Sequence, residues 1–270
     1  MPAVPRDCYS RIVAADSFFE SAKQRSAVFD CPKKSPKYEP LNGDVEMEAR
    51  IRIDSDQQVR KCFERLQDLD VLGTNVCERE DMMFFDPQTR CQHSVTAKPN
   101  DSIGVRSKSE GERIIHDGIS ILVREEVSLR NGEEGFAEKM FGILESAQHW
   151  EKLGRMEKQC VDVLFGIRDA VFCLTVSSVK DRTSKQELHQ IELEMKGLLR
   201  AYKSLVPEDL LAMFSEAFSA TFGKRGHELQ DPRTKLSWLS QLRRRQPGTS
   251  PHQHPVSAEQ SELLGVACSA

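Results

Sequence analysis

Residues 187–205 read ELHQIELEMKGLLRAYKSL. Within them Leu188, Ile191, Met195, Leu198, Tyr202 and Leu205 recur at spacings of three, four, three, four and three. That spacing puts six apolar side chains on one stripe of an α-helix, and such a stripe needs a partner helix to cover it. Ser184 with Glu187 matches a capping box that would open this helix. On the N-terminal side, Cys160, Leu164, Ile167, Val171 and Leu174 form a second apolar stripe up to Lys180. Joined across Asp181-Arg182-Thr183, the two predict an antiparallel helical hairpin over residues 155–205.

Working outward, the same periodicity organises the rest of the chain. Tyr9, Ile12, Val13, Phe18, Phe19 and Ala22 predict a short helix within residues 1–30. Prolines 32, 36 and 40 make 31–55 a linker of unsettled structure. There Val45, Met47, Ala49, Ile51 and Ile53 alternate like a strand, yet their neighbours are helix formers and no partner strand lies nearby, so the reading leans helical. Val59, Cys62, Phe63, Leu66 and Leu69 define a helix in 56–72, and polar composition makes 73–108 a disordered linker.

A helical core is expected over 109–245. Ser109 and Glu112 resemble a capping box ahead of Ile115, Ile119, Leu122 and Val127, and a further helix starts near Glu133 with a kink expected at Gly154. Pro207 suits a first helical position before Leu210, Leu211, Phe214, Phe218 and Phe222. Asp231-Pro232 opens a last helix carrying Leu236, Trp238, Leu239 and Leu242, and 246–270 reads as a disordered tail. The expected fold class is therefore all-α: an irregular helical bundle with a coiled-coil-like hairpin, flanked by disordered linkers and tail.

Composition narrows function only broadly. The chain has 270 residues, 39% hydrophobic and 30% charged, with a net charge of −4, which argues against whole-molecule attraction to polyanions. Eight cysteines without paired short spacing suggest a reducing compartment, and no signal-like apolar core opens the chain, so an intracellular, cytoplasmic or nuclear location is expected rather than secretion. No run approaches the roughly 20 apolar residues that span a bilayer.

Cys77, Cys91 and His93 carry the ligand types of a zinc site, but a fourth ligand and a knuckle spacing are missing, so neither metal nor cofactor is expected. His252 and His254 lie in the proline-rich tail. No GxSxG elbow, HExxH helix or glycine-rich phosphate loop occurs. The Met82-Met83-Phe84-Phe85 cluster between Asp81 and Asp86 either folds back on the core or anchors another protein. Between residues 224 and 245, Lys224, Arg225, Arg233, Lys235, Arg243, Arg244 and Arg245 stand against Glu228 and Asp231, a basic segment suited to a polyanion or to capping a helix. Trp238 beside it suits helix docking.

These features predict a non-enzymatic adaptor or subunit that meets protein partners through helical surfaces, compatible with self-association. A nucleic-acid-associated factor using residues 224–245 is the second reading, and an enzyme without a readable motif the third.

Overall fold

A computed structural model describes residues 17–29, 37–41, 45–99, 102–147, 149–199, 206–231 and 233–244. The chain folds as a closed antiparallel β-barrel with helices on its outside and one helix across an end. Ten strands are described: β1 (Glu39–Pro40), β2 (Val45–Arg52), β3 (Asp70–Asp86), β4 (Cys91–Ala97), β5 (Ile103–Lys108), β6 (Glu112–His116), β7 (Ile119–Arg130), β8 (Glu151–Ile167), β9 (Ala170–Asp181) and β10 (Glu187–Leu198). Helices are α1 (Ser17–Ser26), α2 (Asp56–Leu66), α3 (Phe136–Ser146), α4 (Pro207–Phe222) and α5 (Lys235–Arg244).

Eight strands close the barrel in the order β10-β2-β7-β5-β4-β3-β8-β9, and β9 pairs back with β10. β1 lies on the edge of β10, and β6 pairs with β7 outside the ring. Closure removes every free edge among those eight strands.

The pleat sorts side chains by alternate position, and here the apolar set points outward. Met47, Ala49 and Ile51 of β2, Val161, Val163 and Phe165 of β8, Phe172, Leu174 and Val176 of β9, and Ile191, Leu193 and Met195 of β10 form one core with the helices. Phe19 of α1, Val59, Phe63 and Leu66 of α2, and Phe214 and Phe218 of α4 cover them. Each buried Val, Leu, Ile, Phe or Met side chain among them contributes about 1.5–3 kcal/mol. A second cluster packs α3, through Phe136, Met140 and Ile143, onto Met82 and Phe84 of β3 and Val95 of β4. A third sets Trp238, Leu239 and Leu242 of α5 against Met83, Leu153, Met156, Val179 and Leu188 at one end of the barrel.

The all-α, coiled-coil expectation is thereby corrected. The segment 187–198 is a strand paired on one side with β2 and on the other with β9. Its apolar residues do not share one stripe: Leu188 joins the α5 cluster, whereas Ile191, Met195 and Leu198 pack under the outer helices. Tyr202 and Leu205 lie outside the described residues. The segments expected as the first arm of the hairpin are β8 and β9, and residues 45–52 are a strand whose partners, β7 and β10, come from far along the chain. Most of 73–108, expected as a disordered linker, is β3, β4 and β5. The two expected capping boxes at Ser109 and Ser184 precede β6 and β10 rather than helices.

Gly154 is a strand glycine with φ of +134° beside a register shift in the β3–β8 ladder, and a Cβ there would collide with the Arg243 guanidinium. It is not a helix kink.

The outer helices follow their local signals. α2 is held at its start by the Gln58 side-chain oxygen, which accepts from the Ser55 amide at 3.0 Å. α4 begins at Pro207 and stops at Gly223, whose φ of +64° favours glycine.

Candidate active site: a charged tunnel

With apolar side chains outside, the polar ones line the interior. Eight basic side chains (Arg50, Arg79, Arg106, Lys108, Arg124, Lys158, Lys196, Lys235) and seven acidic ones (Glu46, Glu48, Asp81, Glu126, Asp162, Glu192, Glu194) surround a cavity of about 170 Å³. One end is closed by α5, whose Lys235, with neighbouring Thr234, reaches the lining. The other end is wet: Asn75 on β3 is exposed, and Cys77 and Asp162 are half-buried.

The acidic side chains are concentrated where β2 meets β10. Glu46, Glu48 and Arg50 occupy successive inward positions of β2, and Glu192, Glu194 and Lys196 those of β10. The register sets Glu48 opposite Glu194 and Arg50 opposite Glu192. Directly opposed carboxylates repel, so the Glu48–Glu194 pairing costs stability unless a cation lies between or beside them.

In the structure the acids are answered by bases. Lys108 Nζ donates to both Glu46 oxygens at 2.8 Å, and Arg124 bridges Glu46 at 2.7 Å and Glu48 at 3.1 Å. Glu192 meets Lys235, Arg50 at 3.3 Å and Lys158 at 3.9 Å, while Glu194 meets Lys196. Arg79 donates to Asp81 at 3.1 Å, which also accepts from Thr96 at 2.6 Å.

Protonation follows this geometry. Burial pushes the Glu46 carboxyl up, but Lys108 and Arg124 overcome it and hold the group well below the usual carboxylate range. Burial also opposes ionisation of Glu192, and Lys235, Lys158 and Arg50 together hold it low. The same excess of cations acts on Lys235: burial first, then Lys158 and Arg50, bring its ammonium down to about 7 against the pull of Glu192. Glu194 is raised, by burial and then by Glu46 and Glu126, despite Lys196.

Donor chemistry suits a hard divalent cation. Glu46, Glu48 and Glu194 offer carboxylate oxygens only, the ligand type of magnesium or manganese. Glu48 Oε1 is buried and lies against the Arg50 guanidinium as an ion pair, yet accepts no hydrogen bond. Among the described residues no three acidic, histidine or cysteine side chains converge as they stand, because Glu46 turns to Lys108 and Arg124, and Glu194 to Lys196.

The residues singled out from sequence scatter. Cys91 lies opposite Asp86 and His93 opposite Phe84, so Cys77 is seven residues farther along β3 and on the other face. At about 3.3 Å per residue that separates it from His93 by roughly 23 Å. His93 instead stacks on Trp150 at 4.1 Å, hydrogen-bonds Ser107 at 2.9 Å, and is brought down to about 4 by burial and Lys139. Met82 and Phe84 fold back beneath α3, and Met83 and Phe85 pack near α5.

The basic C-terminal segment also turns inward: Lys235 faces the tunnel, Arg233 grips Asp231, Trp238 is buried, and Arg243 binds the Leu153 carbonyl at 2.6 Å and Asp181 at 3.1 Å. Arg244 is exposed, and Arg245 lies outside the described residues. The tunnel acids were missed. Their signal is the pair of alternating segments Glu46-Met47-Glu48 and Glu192-Leu193-Glu194, legible only once both are read as strands.

No known protein-family profile matches the chain, and no curated protein matches its sequence. Solved structures give loose likenesses. A conserved hypothetical protein of Pyrococcus furiosus is 14% identical with a TM-score of 0.45, covering 71% of this chain and 98% of its own. The Mimivirus capping enzyme triphosphatase is 13% identical with a TM-score of 0.44, covering 79% and 99%. An RNA triphosphatase of Schizosaccharomyces pombe, in complex with the Spt5 CTD, is 11% identical with a TM-score of 0.36, covering 90% and 94%.

The expectation of a non-enzymatic adaptor is corrected at this point. Its basis, the helical seam, is absent, and a barrel with a charged interior stands in its place. No helix among the described residues is long and apolar enough to cross a membrane.

Proposed function

We propose that the chain is a metal-dependent phosphohydrolase that cleaves the terminal phosphoanhydride bond of a triphosphate drawn into the barrel. The observation that supports this reading is Glu48 set opposite Glu194 on adjacent strands, with Glu46 and Glu192 at neighbouring inward positions, inside a ring of arginines and lysines. An eight-stranded barrel can be filled by ordinary side chains or hold one small ligand. Filling it with buried ion pairs is no more stabilising than filling it with apolar residues. Fifteen inward charges therefore argue for a ligand that uses them.

The ligand must carry both signs. An anion takes the bases and a divalent cation takes the acids, so each internal ion pair is exchanged for a pair with substrate or metal. Arg106 and Lys108 on β5, Arg124 on β7 and Lys158 on β8 approach from separate strands, which lets them contact a tetrahedral phosphate from several sides. Their charge is placed before substrate arrives and stabilises the negative charge carried by the phosphoryl oxygens and the leaving diphosphate. Thr234 and Lys235 close the inner end, so a linear triphosphate enters with its terminal phosphate deepest. A divalent cation held by Glu46, Glu48 and Glu194 would neutralise phosphate oxygens and polarise the phosphorus toward attack by water.

Phosphate release from tripolyphosphate, ATP and an RNA ending in a 5′-triphosphate tests the reading, with magnesium or manganese and then with chelator. Release from at least one of them, abolished by chelation, is expected. Inertness toward all three with both metals would refute the assignment.

A further inference from the structure

The tunnel's wet end carries a feature that phosphate chemistry does not use. Cys77 of β3 and Cys160 of β8 are directly opposed in the ladder, so both side chains leave the sheet on its inner face. Opposed residues of an antiparallel pair have Cα atoms about 4.5 or 5.5 Å apart. Both spacings fall inside the roughly 4.4–6.8 Å window of a disulfide. Cys160 is 2% exposed, whereas Cys77 is half-buried beside exposed Asn75, Val76 and Glu78. One sulfur is thus reachable from solvent and the other is held behind it.

We propose that Cys77 and Cys160 form a peroxide-oxidisable pair, with Cys77 as the sulfur attacked first and Cys160 as the resolving thiol. The inference stands apart from the phosphohydrolase reading, because it concerns bond formation between two residues and not turnover.

The charge environment supports the order of events. The facing Cys160 thiol, with Arg79 and Lys98 nearby, favours the Cys77 thiolate and brings it to about 6 despite burial and Asp162, while the same pairing and burial push the Cys160 thiol well up. Burial pushes Cys62 and Cys173, by contrast, up to about 12 despite Arg65 beside the first and Lys196 beside the second. In the first step the Cys77 thiolate attacks hydrogen peroxide: an S–O bond forms, the O–O bond breaks, and hydroxide leaves to become water. In the second, the Cys160 sulfur attacks the sulfenic sulfur: the S–S bond forms, the S–O bond breaks, and the departing oxygen leaves as water with the Cys160 proton. Two thiols lose two electrons and two protons, and the peroxide is reduced to two waters.

The test is peptide mapping of the folded full chain after dilute hydrogen peroxide, without reduction. One intramolecular disulfide between the Cys77 and Cys160 peptides is expected, with Cys62 and Cys173 still alkylated after unfolding. In Cys160→Ser, and in Cys160→Ala should the first variant fold poorly, Cys77 should instead be trapped as a sulfenic acid that dimedone labels. Wild-type protein that accumulates a dimedone adduct at Cys77 with Cys160 still alkylatable, or that links Cys77 to another cysteine, would overturn the proposal.

Discussion

Lys158 of β8 separates a ligand-binding tunnel from a merely structural one. Its ammonium is 3.9 Å from Glu192, a carboxylate that also faces Arg50 and Lys235. At that distance the gross attraction is about 4 kcal/mol at an effective dielectric of ~20. Against it stand a desolvation penalty of several kcal/mol for the buried ion and repulsion from two other cations. Replacing Lys158 with methionine removes the penalty and the repulsion and leaves Glu192 two partners. Buried charges exchanged for apolar groups of similar volume are often neutral or stabilising by about 1–4 kcal/mol. Lys158→Met is therefore expected to keep or raise stability, by up to about 1 kcal/mol, or ~2–4 °C in melting temperature for a fold of this size.

Glu192→Met should behave oppositely, stranding Lys158 and Lys235, leaving Arg50 only Glu48, and costing about 3–5 kcal/mol. Lys158→Met should nevertheless lower phosphate release by about 10²-fold, as loss of one preorganised charge contact typically does. Chemical denaturation and initial rates measured on both variants decide the matter. Equal stability losses in the two variants would refute the reasoning, since they would mean that the cluster is balanced for the fold and holds no charge in reserve for a ligand.

Other consequences follow from the same geometry. Leu239→Ala in α5, fully buried against the barrel end, should cost about 2–5 kcal/mol, read from denaturant midpoints; a change near zero would mean that α5 is not seated there. Lys235, brought to about 7 by burial and its cationic neighbours, should gain a proton when a polyanion enters. Calorimetry of tripolyphosphate binding near pH 8 in buffers of different ionisation enthalpy should show proton uptake, shrinking below pH 6 where the free group is already charged. Proton release at pH 8 would contradict it.

Helices that bury one face against the sheet were legible. Val59, Cys62, Phe63 and Leu66 of α2 carry helical spacing, α4 starts at Pro207 and is stopped by Gly223, and Trp238, Leu239 and Leu242 mark α5. Strands were not, because this barrel reverses the usual contrast of surface and core. Inward positions hold Glu, Lys, Arg and Gln, residues with high helix propensity, and outward ones are covered by helices, so neither face reads as solvent.

In 187–198 the alternation Ile191, Leu193, Met195 against Glu192, Glu194, Lys196 was outweighed by a three-four spacing that passes over Leu193. Residues 45–53 did alternate, and the argument against a strand failed because β2 finds its partners in β7 and β10, not in its neighbours. The site was hidden for the same reason: Glu48 comes to face Glu194, with Glu46 and Glu192 nearby, only through the long-range pairing of β2 with β10, which no local motif records.

On the proposed function, the facing carboxylates Glu48 of β2 and Glu194 of β10 hold a cation for phosphoryl transfer. The direct measurement is the magnesium- or manganese-dependent rate of phosphate release by wild type and by Glu48→Gln, a change that keeps shape and removes one metal-ligating charge. A loss of at least about 10²-fold is expected in the variant, with a stability loss smaller than that of Glu192→Met, because Arg124 keeps Glu46 and Arg50 keeps Glu192 when the Glu48 charge is removed. Undiminished release by Glu48→Gln would contradict it.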